Sequence, residues 1–144
     1  MTRSISTALI LGLFAVFIAQ SAVAENAGTT TPVSQLGESE QFGTIKVTLE
    51  SFAIQGVNAD VVLRMDNLAD EEKEISFLLF IDAHSETGEL GDYDYAKTNC
   101  DGTIPPKGSF NCKLALIFPV APNQVSIRVG EGMKQDGVFF TLAR

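Results

Sequence analysis

Tryptophan is absent from this sequence, histidine occurs once, cysteine twice, and bases are outnumbered by acids, 10 Lys and Arg against 18 Asp and Glu. Each scarcity excludes something. One histidine (His84) and two cysteines cannot complete a tetrahedral zinc site. A formal net charge of −8 leaves no basic stripe to displace counterions from phosphates, which excludes nucleic acid as a partner and opposes docking on anionic lipid. Without tryptophan the chain lacks the Cys…Trp…Cys pin of antibody domains. The glycines around Lys134, namely Gly130, Gly132 and Gly137, read as turn glycines and do not have phosphate-binding spacing. No apolar run reaches the ~20 residues that a helix needs to cross a bilayer.

The longest apolar run, Ala8 to Ala19, follows Arg3 and precedes the small-x-small triplet Ala22-Val23-Ala24. That is the pattern of a removable export leader over residues 1–24, and no cysteine stands after it to take a lipid. The expected destination is outside the cytoplasm, periplasmic or secreted, with no stable membrane insertion once the leader is cleaved. The partners left open are an extracytoplasmic protein, a cation or a small ligand, and no cofactor is implied.

The cysteines, Cys100 and Cys112, flank the turn Pro105-Pro106-Lys107-Gly108. Their separation is too long for a CxxC redox pair, and an oxidising compartment favours their union as a structural disulfide. In the chain-entropy account, closing a loop of this length stabilises the fold by about 3 kcal/mol. The two prolines fix φ and Gly108 tolerates a positive φ, so the chain reverses between the thiols.

Residues 25–41 are rich in small and polar residues and read as a flexible lead-in to a domain at 42–144. Within that domain strand signals follow one another. Ile45, Val47 and Leu49 alternate with Lys46 and Thr48, and Ala59, Val61, Leu63 and Met65 alternate with polar partners. The unbroken run Phe77–Ile81 predicts a central strand covered on both faces, or a strand at the packed middle of a sandwich. Phe110, Cys112, Leu114, Leu116 and Phe118 share one side of the next strand, and 124–130 and 137–144 supply two more. About seven strands without an amphipathic helix predict an all-β, immunoglobulin-like β-sandwich.

Two segments carry a resemblance. VVLRMDNLADEEKEISF resembles the strand, Asn, acidic turn and strand of bacterial secreted immunoglobulin-like domains of unknown function, a group related to the mycobacterial immunoprotective extracellular antigen. GTIPPKGSFNCKLALIFPV resembles the later turn and strand of the same group. The landmarks are Asn67, Pro106, Gly108, Ser109, Leu114, Phe118 and Pro119. The resemblance implies the sandwich fold and brings no catalytic residues with it. Cys112 and the acidic, tyrosine-containing insertion depart from the pattern.

Three groups of residues are candidates for function. The segment 82–101 gathers Asp82, Glu86, Glu89, Asp92, Asp94 and Asp101, of which Asp92, Asp94 and Asp101 are calcium candidates, although the spacing is not that of an EF-hand. Tyr93 and Tyr95 would point the same way on an extended chain, either to anchor a partner or to cover a sheet edge. Lys107 heads the stapled turn, where an inhibitor would present it to an enzyme. His84 lies near Asp82 and Ser85, yet strand alternation sends neighbours to opposite faces and no oxyanion hole is visible. The sequence therefore reads as a non-catalytic binding or interaction module. The alternatives are a calcium-binding accessory protein using loop 82–101 and an inhibitor of an extracytoplasmic hydrolase using loop 100–112.

Overall fold

The computed structural model describes residues 32–132 and 137–144. The segment expected to be an export leader (1–24), residues 25–31 of the expected lead-in and the chain around Lys134 lie outside them. The strands are β1 (Ser39–Phe42), β2 (Ile45–Gln55), β3 (Asn58–Asn67) and β4 (Lys73–Ile75), followed by a helical turn α1 (Phe77–Phe80). Then come β5 (Ile81–Ser85), β6 (Asp92–Tyr93), β7 (Gly102–Ile104), β8 (Ser109–Ile117), β9 (Gln124–Gly130) and β10 (Gly137–Ala143). One sheet has the order β1-β2-β3-β8-β6, the facing sheet β10-β9-β5, and β4 pairs with β7. This is an all-β, immunoglobulin-like sandwich, with ten strands among the described residues where the alternation predicts about seven.

The alternation dictates the core. Val47, Leu49, Val61, Leu63, Leu114 and Leu116 face inward from the larger sheet against Val125, Ile127, Val129, Phe140 and Leu142. Each such side chain contributes roughly 1.5–3 kcal/mol by leaving water. Strand β2 preserves its apolar face across a bulge. Leu49 pairs with Leu63 and Ser51 with Val62, so Glu50 is the extra residue. It shifts the inward parity from Ile45, Val47 and Leu49 to Phe52 and Ile54. At the β2–β3 turn only Gly56, the first of two central residues, has positive φ (59°), as in a type II′ hairpin.

Two expectations change. Phe77–Ile81 is not one central strand. Phe77 to Phe80 make a single helical turn, closed by Phe80 N–H to Ser76 O at 3.0 Å, and only then does β5 begin. Strand β5 is an outer member of its sheet and alternates buried and exposed, so it needs no two-sided apolar run. The lead-in to residue 41 also gives way, over its described part, to built structure. Ser34 N–H donates to Thr141 O (2.7 Å), Thr141 N–H donates to Ser34 Oγ (3.1 Å), and Gly37 N–H donates to Leu49 O (2.7 Å). This segment crosses from β10 of one sheet to β2 of the other before continuing as β1.

Sheet edges are covered in the same way. Residues 94–99 lie along β8, with Asp94 N–H to Ala115 O and Asn99 N–H to Lys113 O, both 2.8 Å. Residues 89–91 lie along β5, with Ser85 N–H to Glu89 O and Gly91 N–H to Ala83 O, both 2.9 Å. The acidic segment is thus the edge cover of both sheets, which fixes where its side chains point.

Candidate functional site

The stapled turn is held by a disulfide and by several hydrogen bonds between loops. Cys100, just after the edge-covering segment, is joined by a disulfide to Cys112 on the inner face of β8, and both are fully buried. Beside it Asn67, 1% exposed, closes β3. Its Nδ2 donates to the carbonyls of Glu71 (2.7 Å), Pro105 (3.2 Å) and Ile104 (3.3 Å), and its Oδ1 accepts from Ala69 N–H at 3.0 Å. One side chain thereby ties the β3–β4 connection to the Pro-Pro turn.

Positive φ in that turn falls on Lys107 (55°), not on Gly108. Gly108 is required for a different reason: a Cβ there would stand 2.5 Å from Pro105 Cγ. The left-handed Lys107 is held by its own bonds, N–H to Ala69 O at 3.1 Å and Nζ to Leu68 O at 2.7 Å, with Asp70 at 3.3 Å. Its ammonium is folded back onto the protein. An inhibitory loop needs that group pointing outward.

The carboxylates of the acidic segment go to separate partners. Asp82 pairs with Arg128 (2.9 Å) and Asp94 with Lys97 (2.9 Å), and each of these last two pKa values moves towards the charged form through that contact. Asp101 Oδ1 accepts the Phe77 N–H at 3.2 Å and so starts α1. Asp92 is exposed on β6. The calcium candidates Asp92, Asp94 and Asp101 are not gathered at one point. Among the described residues no group of three His, Cys, Asp or Glu side chains stands close enough to hold a metal ion.

Glu86, read from sequence only as one more acid, accepts from the backbone N–H groups of Asn123 and Gln124 (3.0 and 3.1 Å). These bonds hold its pKa down to about 2. His84 lies exposed opposite Ser126, whereas Ser85 is buried on the other face of β5 and its hydroxyl accepts from Glu89 N–H. Histidine and serine are thus on opposite sides of the strand, and Asp82 is engaged by Arg128.

The tyrosines do come together. Tyr93 donates its hydroxyl to Ile81 O at 2.7 Å and lies 4.6 Å, centroid to centroid, from Phe77. Burial, then the neighbouring charge of Asp82, pushes its pKa up to about 12. Tyr95 stands 5.9 Å from Phe77 and 6.5 Å from Tyr93, yet it is 69% exposed, whereas Phe77 is 5% exposed. The three rings grade from core to solvent. Tyr93 is the anchored middle of that ladder and Tyr95 its free end. The pairing of the tyrosines was visible in the sequence; Phe77, the base of the ladder, was hidden in a run read as strand.

A concave feature opens where β4 and α1 meet β3 and β9. It is a cleft of about 200 Å³ walled chiefly by Phe42, Ile45, Met65, Ile75, Phe80 and Val129. No sequence signal marked it, because its walls come from six separate elements.

With this geometry established, solved structures provide a comparison. A putative lipoprotein (ycdA) from Bacillus subtilis superposes with a TM-score of 0.58 at 13% identity, over 76% of this chain and 39% of that one. An uncharacterized β-sandwich protein from Clostridium difficile gives 0.52 at 14% identity, over 76% and 91%. The secreted Mycobacterium tuberculosis protein MPT63 gives 0.50 at 11% identity, over 81% and 100%. The likeness is one of fold. No family model matches the sequence, and no curated protein matches it. The chain shares its β-sandwich with bacterial proteins described as secreted or as a lipoprotein, and among its described residues no helix is long and apolar enough to cross a membrane.

Proposed function

We propose that this chain is a non-catalytic extracytoplasmic interaction module that engages a protein partner through Tyr95. The observation that carries the reading is the aromatic ladder. Tyr95 presents an exposed ring whose neighbours, Phe77 and Tyr93, are fixed by burial and by the Tyr93–Ile81 hydrogen bond. A ring supported in this way has less freedom to lose on binding, which is what favours tyrosine in interface hot spots. Export through the leader and the disulfide support a site of action in the periplasm or outside the cell. The engagement of Lys107 by Leu68 and Asp70, and the dispersal of the acidic side chains, favour this reading over inhibition and over calcium binding.

The test is affinity capture from the extracytoplasmic fraction of the source cell, with the disulfide-bonded protein, its Tyr95→Ala variant and its Lys107→Ala variant as parallel baits. A partner held by the native and Lys107→Ala baits and lost by Tyr95→Ala is the expected result. A partner held equally by all three would remove Tyr95 from the interface.

A further inference from the structure

Strand β10 is the outer strand of its sheet, and half of that edge stands open. Thr141 sends its N–H and its carbonyl away from β9, to Ser34, whereas Arg144 N–H turns to the β9 side and meets Asn123 O at 2.9 Å. Antiparallel pairing alternates in this way. Phe139 and Gly137, two and four positions before Thr141, therefore also turn their backbone N–H and C=O groups outward. Ser34 fills the edge at Thr141, but among the described residues nothing bonds to Gly137 or Phe139 from that side.

Other edges of the sandwich are guarded. Residues 89–91 lie along β5, residues 94–99 lie along β8, and β1 is only four residues long and carries Glu40. Strand β10 has none of these devices. Gly137–Ala143 holds no charge and no proline, and its register with β9 runs through all seven residues without a bulge. Phe139 is 58% exposed, a large apolar ring beside the open backbone.

The open stretch, Gly137-Val138-Phe139, is its own complement. A second copy laid antiparallel, with the two-fold axis at Val138, sets each Phe139 opposite the partner's Gly137. Both Gly–Phe pairs can then exchange their backbone hydrogen bonds. Each ring covers the bare backbone of the facing glycine, the arrangement by which aromatics compensate for edge glycines. Gly137 is bare of necessity, since a Cβ there would stand 2.8 Å from Val129 O. Centring the axis on Phe139 instead would bring Gly137 against Thr141, whose groups Ser34 already holds.

We infer that the chain associates as a two-fold dimer through β10, joining two three-stranded sheets into one continuous sheet. The contact lies at the opposite edge of the sheet from β5. The aromatic ladder, whose Tyr93 is bonded to Ile81 of β5, stays free in the dimer.

Sedimentation equilibrium of the disulfide-bonded protein across a concentration series tests this, with hydrogen exchange of the Gly137 and Phe139 amides followed in the same samples. Those amides should gain protection in step with dimer formation. Phe139→Lys, a charge of the kind that guards natural edges, should leave the protein monomeric. Phe139→Ala should weaken the dimer about tenfold through the two lost ring contacts. Residue 139 is exposed, so both variants should keep the native thermal midpoint. Val138→Cys gives an independent reading that needs no change at Phe139. Its two thiols would meet on the axis at the ~4.5 Å Cα spacing of a non-hydrogen-bonded pair, and should oxidise to a linked dimer. A protein that stays monomeric at every concentration, a dimer that Phe139→Lys leaves intact, or amides protected equally in the monomer would each overturn the assignment. Tyr95→Ala should leave the dimer unchanged; its loss in that variant would move the contact to the aromatic ladder and overturn the assignment too.

Discussion

Two exposed side chains, Lys107 at the stapled turn and Tyr95 on the aromatic ladder, look alike in the sequence and differ in what surrounds them. Lys107 is exposed over 60% of its side chain, yet its ammonium, its backbone N–H and even its left-handed backbone serve the contact between two loops. Tyr95 is also largely exposed and meets its neighbours through tilted ring contacts. Exposure thus measures access to water, whereas availability to a partner depends on whether a group's bonds are already made. The stapled corner is closed on itself. The aromatic corner is held firm from below and open above.

The sharpest way to break this contrast is to unfasten the closed corner. Replacing both Cys100 and Cys112 by Ser should cost about 3 kcal/mol through the freed loop, with more from two hydroxyls placed in a dry core. Urea unfolding of the oxidised, reduced and double-Ser proteins measures it, and a small difference between them would show that Asn67 and the turn hold the corner unaided. Next in size, Asn67→Ala should destabilise by roughly 2–3 kcal/mol, because the carbonyls of Glu71, Ile104 and Pro105 lose their common donor. Lys107→Ala, which removes only an exposed ion pair and one carbonyl bond, should cost no more than about 1 kcal/mol. Equal losses would mean that the lysine, not the asparagine, ties the loops.

The smallest effects separate the two tyrosines. Tyr93→Phe should destabilise by about 1 kcal/mol through the orphaned Ile81 carbonyl, and Tyr95→Phe should fall within about 0.5 kcal/mol of the native protein. The same pair can be separated by pH. The folded pKa of Tyr93, about 12, lies above its ordinary value of 10.0. The folded state therefore keeps a proton that the unfolded state releases, and the contribution is complete below pH 10 and disappears as pH rises through about 12. With two tyrosines and no tryptophan, absorbance titration resolves this directly. The late-ionising phenol should vanish in Tyr93→Phe and persist in Tyr95→Phe.

Much of the sandwich was legible in advance because alternation reports burial directly: β2, β3, β8, β9 and β10 all announce themselves by period two. What escaped has physical reasons. Strand β1, Ser-Glu-Gln-Phe, is largely exposed and owes its form to the backbone of β2, so no side-chain pattern could reveal it. The helical turn at Phe77–Phe80 depends on Asp101, 24 residues away. Asn67 stood out as a landmark, but its role lies in carbonyls 37 and 38 residues on. The cleft beside α1 escaped for the same reason, since Phe42, Met65, Ile75 and Val129 share no local spacing. The tyrosines and cysteines were found because their scarcity drew notice, and their bonding was not.

The crossing segment at Ser34 has a consequence for timing. Ser34 is bonded to Thr141, 107 positions later, while Gly37 is bonded to Leu49 within the first hairpin. A chain delivered from its amino end can complete β1, β2 and β3 early. The sheet that faces them needs β9 and β10, so its half of the core stays open until the carboxyl end arrives. During that interval the inner faces of Val61 and Leu63 have no lid. The last seven-residue strand is thus the clasp of the whole sandwich, and truncating it should leave a chain that never becomes safe from aggregation.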